Sequence, residues 1–139
     1  MSDRVWTPAQ SGAINADTGT LLVSAAAGSG KTAVLVERIV RLLTRGEAPV
    51  RPSELLVVTF TNAAAAEMRS RVYSRISDLM RVPGADRSSF SALLSHLDEM
   101  NVCTMDAFGI KLVRESFHIC GVSSDFTVLD KGESDILKK

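Results

Sequence analysis

The stretch Ala25-Ala26-Ala27-Gly28-Ser29-Gly30-Lys31-Thr32 sets two glycines, a lysine and a hydroxyl residue at Walker A spacing. Its first position is alanine where the strict pattern has glycine. The residue types fit polyphosphate chemistry. Gly28 and Gly30 lack a Cβ, so the chain can curl and aim successive backbone N–H groups at phosphate oxygens. A helix starting near Lys31 adds the positive end of its dipole and its unpaired first-turn amides. Lys31 can reach the β and γ phosphates as a point charge, and Thr32 offers a hydroxyl ligand to Mg²⁺. The loop therefore calls for ATP or GTP with Mg²⁺, held by Ala25, Ala26, Ala27, Gly28, Ser29, Gly30, Lys31 and Thr32. It does not say what hydrolysis would drive.

Such a loop needs a strand before it and a helix after it. Thr20 to Ser24 is an apolar run of strand length without polar alternation, the pattern of a strand covered on both faces in a parallel sheet. A helix from about Lys31 to Arg45 follows, stopped by Gly46, Pro49 and Pro52. On it Arg38, Arg41 and Arg45 share a face, with Glu37 placed to pair with Arg41. Upstream, Thr7-Pro8 opens a short helix with threonine as N-cap and proline at its first position. Leu55 to Thr61 reads as a second buried strand. Asn62 would cap a helix to about Arg81, with Ala65, Met68, Val72, Ile76 and Leu79 at helical spacing. A helix over 88–99, a strand over Asn101 to Thr104, and a helix from Asp106 to His118 closed by Gly121 come next. Phe126 to Leu129 is a candidate fourth strand, and Glu133 onward begins another helix. Alternating strands and helices predict an α/β fold, a parallel sheet flanked by helices on both faces.

The 139 residues suit one domain, 45% apolar but only 5% aromatic, so the core must be aliphatic. Net charge is zero, so composition gives no sign of a nucleic-acid partner, although a local basic strip is not excluded by a neutral total. Arg69, Arg71, Arg75 and Arg81 crowd one segment and read first as a solvated helix face. Cys103 and Cys120 lack metal-type spacing and read as small buried hydrophobes in a reducing compartment. No stretch approaches the ~20 apolar residues of a membrane span, and the expected location is cytoplasmic.

Three further segments make the chain resemble the N-terminal part of a UvrD/Rep-type DNA helicase. Trp6-Thr7-Pro8-Ala9-Gln10 is similar to that family's Q motif, which implies that the Gln10 amide, both donor and acceptor, reads the adenine edge. Thr59 to Met68, continuing to Arg69 and Arg71, resembles motif Ia. There the resemblance implies that Phe60 stacks on a base while Thr61 and Asn62 bond the backbone of single-stranded DNA. The residues alone leave Phe60 equally open to a core role and Asn62 to capping alone. Val102 to Gly109 is similar to motif Ib, usually Thr-x-His-Ser-Phe, but Asp106 stands for the histidine and Ala107 for the serine. A carboxylate repels phosphate, so those two side chains are poor DNA contacts.

Within the family, Gly30 to Arg38 and the tail Asp125 to Asp130 look closest to the helicase-nuclease branch that holds AddA and RecB. The resemblance covers essentially the whole chain. It implies a partial RecA-like P-loop NTPase domain, residues 1–139 being the N-terminal part of a longer ATP-dependent translocase. That protein would act on single- and double-stranded DNA in double-strand-break repair and recombination, and its partner would be a second subunit. Walker B, the arginine finger and the second motor domain have no counterpart in the sequence, and a finger alone is worth roughly a thousandfold in rate. Two other readings stay open. One is a complete small P-loop NTPase or kinase using Asp130 as its Mg²⁺-linked carboxylate. The other is a non-catalytic nucleotide-binding module with a degenerate loop, which Ala25 favours and Lys31 and Thr32 oppose.

Overall fold

The computed structural model describes residues 5–17, 19–46, 48–129 and 131–137. It divides into two compact units, residues 1–104 and 105–139. In the first, α1 (Pro8–Asn15) is opened by Thr7, whose hydroxyl accepts from the Gln10 amide while the Gln10 side chain accepts from the Thr7 N–H. This reciprocal capping satisfies two donors that the helix start would otherwise strand.

α2 (Lys31–Thr44) and α3 (Asn62–Met80) carry the core. Val36, Ile39, Val40 and Leu43 on α2 and Ala65, Met68, Val72 and Ile76 on α3 join one buried cluster with Val57, Leu97, Met100 and Val102. Val72 and Ile76 are fully buried, each contributing about 1.5–3 kcal/mol through apolar burial. Thr61, not Asn62, is the N-cap of α3: its hydroxyl accepts from the Ala64 N–H at 3.1 Å. Threonine caps by side-chain oxygen and keeps extended backbone, which leaves Asn62 as the first helical residue.

β1 (Leu56–Thr59) and β2 (Asn101–Thr104) pair in parallel, Val57 opposite Val102 and Thr59 opposite Thr104. A parallel pair needs a long crossover. Here it is α3, α4 (Arg87–His96) and a 3₁₀ turn over Leu97–Glu99. α3 packs on both strands. Val57 is buried, whereas Leu56 and Val58 stay exposed, so the expected cover on both sheet faces is seen on one.

Two expected strands are absent. Residues 20–24 are extended but unpaired, with Leu21, Leu22 and Val23 exposed. Residues 126–129 are likewise irregular. A buried-type apolar run becomes a strand only where a neighbour offers an edge, and among the described residues the sheet has two strands. In the second unit the expected single helix is two, α5 (Met105–Glu115) and α6 (Phe117–Cys120), broken at Ser116 and ended by Gly121 in the left-handed region. α7 (Lys131–Leu137) closes the described chain. Both cysteines are free thiols, but Cys103 is only half-buried and Cys120 is exposed.

Candidate functional site

The loop ahead of α2 has the shape its glycines predict. Gly28 and Gly30 sit at φ 77° and 86°, a region that costs other L-residues about 1–2 kcal/mol. A Cβ on Gly28 would meet nothing within 4 Å, so glycine is required there by backbone conformation and not by crowding. Val34 donates to the Gly30 carbonyl at 3.0 Å and starts the helical ladder. The first-turn amides of α2, those of Lys31 and Thr32 included, therefore have no helical acceptor.

The Lys31 ammonium donates to the carbonyls of Ala25 at 2.5 Å and Ala26 at 2.8 Å. It bridges back across the loop it follows, so the charge lies over the turn rather than out in solvent. Thr32 is exposed beside it. Gln10 joins the same place from α1: its Nε2 donates to the Ser29 carbonyl at 3.2 Å, while its Oε1 is held by the Thr7 N–H at 2.9 Å. An amide has two N–H donors and two lone pairs. Each atom thus keeps one position for a ligand. Gln10 and the loop from Ala25 to Thr32, separate in sequence, form one constellation.

α1 is held in position by charges that sequence spacing did not reveal. Arg38 donates to the Ala13 carbonyl at 2.7 Å, and Arg41 and Arg45 both clasp Asp17, at 2.7 and 2.5 Å. The Arg41 hydrogen bond foremost holds the Asp17 carboxyl below its usual range. The expected Glu37–Arg41 pair does not form. Glu37 instead takes a two-pronged bond from Arg75 on α3, and Arg41 turns to Asp17, two partners that helix packing brings within reach. The arginine face of α2 was legible, but its carboxylate lies far off in sequence, where no periodicity points.

The second predicted surface is at the C-terminal end of β1. Phe60 is fully exposed, which removes its alternative reading as a core residue. Thr61 caps α3, Asn62 is exposed at the helix start, and Thr59 Oγ1 donates to the Thr61 carbonyl at 3.0 Å, bracing the corner. The arginine cluster of α3 is engaged within the fold: Arg69 donates to the Val102 carbonyl, Arg71 pairs with Glu67, Arg75 with Glu37 and Arg81 with Asp78. Asp106 lies in the first turn of α5, where a carboxylate complements the helix dipole. Asp130 lies outside the described residues. Among the described residues no cluster of metal-ligating side chains occurs, and no helix is long and apolar enough to cross a membrane.

Residues 6–139 match the family model described as the UvrD/REP helicase N-terminal domain. The chain is similar to the ATP-dependent helicase/nuclease subunit (AddA) of Clostridium perfringens, 44% identical over 96% of this chain and 10% of that protein. It is similar to the proteins of the same name from Ruminiclostridium cellulolyticum, at 44%, and Desulforamulus reducens, at 43%. Each of these alignments covers 99% of this chain and 11% of the relative. The chain thus spans about a tenth of the length of these relatives. With Gln10, the glycine loop and the exposed Phe60 corner in place, this α/β chain belongs to the UvrD/REP helicase N-terminal domain family.

Proposed function

We propose that this chain is the nucleotide-binding, N-terminal part of a RecA-like motor domain in an ATP-dependent DNA helicase, one subunit of a helicase-nuclease acting in double-strand-break repair and recombination. The observation that carries the reading is the loop from Ala25 to Gly30, curled by two left-handed glycines ahead of α2 and tied to the Gln10 amide. Lys31 exchanges the Ala25 and Ala26 carbonyls for β- and γ-phosphate oxygens, and the loop amides with the α2 N-terminus take the remaining charge. Gln10 reads adenine with the donor and acceptor positions left after its bonds to Ser29 and Thr7. The exposed Thr32 hydroxyl is suited to hold Mg²⁺, which when bound supplies charge neutralisation at the phosphates. Phe60, Thr61 and Asn62 face single-stranded DNA, a ring beside a helix N-terminus. The relatives' names, each of which makes the protein one subunit of several, support a partner for the longer protein.

Titration of the chain with a fluorescent ATP analogue and Mg²⁺, beside its Lys31→Ala variant, tests this. A charged hydrogen bond is worth about 1.5–3 kcal/mol, so the variant should bind about ten- to a hundredfold more weakly. Equal binding by both proteins overturns the phosphate site. Steady-state ATP turnover with single-stranded DNA should stay near background, since no finger or Walker B pair accompanies the loop. Brisk turnover by the chain refutes its place as part of a larger motor.

A further inference from the structure

α2 carries Lys31 and Thr32 in its first turn, and α3 carries Asn62 at its own start with Thr61 as cap. The two helices pack on each other through aliphatic side chains. Aliphatic packing resists separation but specifies axial position weakly, since one methyl group substitutes for another as helices slide. One polar contact between them is directional. Arg75 Nε donates to one Glu37 carboxylate oxygen at 2.8 Å and a terminal Arg75 nitrogen to the other at 2.9 Å. This parallel fork fixes both distance and rotation, which a single ammonium contact would not. The Glu37 and Arg75 side chains are 21% and 35% exposed, so solvent screening is reduced but not removed. Neighbouring charges are committed elsewhere: Arg41 to Asp17 and Arg71 to Glu67.

At about 1.5 Å per residue, Glu37 lies ~9 Å along α2 from Lys31, and Arg75 ~20 Å along α3 from Asn62. We infer that the Glu37–Arg75 fork is a coupling strut: it locks the register of the nucleotide-bearing helix against the DNA-facing helix, so that nucleotide binding at the loop changes DNA affinity at the Phe60–Asn62 corner. The inference rests on the nucleotide and DNA roles proposed above. Glu37 and Arg75 touch neither ligand and act as positioning residues.

The test is thermodynamic linkage in the full chain. Oligo-dT affinity is measured with and without a non-hydrolysable ATP analogue plus Mg²⁺, for the parent, Glu37→Gln, Arg75→Gln and the charge-swapped double variant. In the parent the analogue should change oligo-dT affinity by about fivefold or more, as coupled sites do. In each single variant that ratio should fall to one, while the analogue and oligo-dT each bind alone within about twofold of the parent. The swapped pair should restore the ratio. Hydrogen exchange at residues 61–66 gives a second readout: nucleotide should alter their protection in the parent and not in the single variants. A parent ratio of one, or an unchanged ratio in the single variants, overturns the strut. If a single variant loses stability and both affinities together, the pair is only a structural brace and the strut is likewise overturned. A parent that binds neither ligand defeats the functional reading instead, which separates the two failures.

Discussion

Phe60 stands in water at 104% relative exposure between a strand and a helix that both send side chains into the core. An aromatic ring left there contributes nothing to folding, because burial is what stabilises it. Its replacement therefore separates two roles cleanly. Phe60→Ala should leave thermal stability within about 0.5 kcal/mol of the parent, the range of ordinary surface changes. It should weaken oligo-dT binding by about 1–3 kcal/mol, the worth of one base stacked on a ring. Paired thermal melts and fluorescence-anisotropy titrations check this, and an unchanged anisotropy curve removes the ring from the DNA surface. Sequence resolved this residue only to a choice between stacking and core, since a strand-end aromatic fits both. Gly28 and Gly30 were fully legible: their positive φ follows from the turn that phosphate binding needs. Gln10 was legible in type but not in contact, because nothing local in Thr7-Pro8-Ala9-Gln10 shows that its amide meets Ser29.

Among the elements, α1 depends most on charge. It buries only Ile14, and Asp17 just beyond its end is clasped by Arg41 and Arg45 of α2. The Asp17 carboxyl, depressed first by the Arg41 hydrogen bond, binds protons less readily in the folded chain than in the unfolded one. Whatever stability the clasp gives is thus fully present above the ordinary carboxylate range near pH 4 and is lost as pH falls through the lower folded value. Amide exchange in α1 should speed up on acidification before exchange in α2 or α3 does. Asp17→Asn should show that faster α1 exchange already at neutral pH, with weaker nucleotide binding because Gln10 rides on α1. Equal α1 protection in parent and variant would show that the helix stays in place without the clasp. Read from sequence, α2 and α3 come out within a residue or so at each end, since their apolar spacing and caps are local signals. The partners of their charges do not. Asp17 with Arg45, and Glu37 with Arg75, are set by how helices pack.

For the molecule as a whole, the segment ahead of the phosphate loop is the exposed liability. Leu21, Leu22 and Val23 are 45%, 90% and 47% exposed, an alternation of period two that an extended chain produces even without a paired neighbour. Leu21 and Val23 turn toward α2, lining with Ala13, Val34, Leu35 and the side chains of Lys31 and Arg38 a cavity of about 180 Å³. Leu22 turns the other way, into solvent. An extended apolar segment with unsatisfied backbone groups is a template for pairing with another chain, and one charge on its outward face blocks that pairing. Leu22→Lys should therefore raise the concentration at which light scattering first detects association, with the melting temperature unchanged. Val23→Lys should instead lower the melting temperature, because an ammonium would be forced against Val34 and Leu35. The pair of variants tests orientation as well as exposure. If Leu22→Lys melts early and Val23→Lys does not, the segment runs with its faces reversed, and the lining of the cavity behind Lys31 is not the one described.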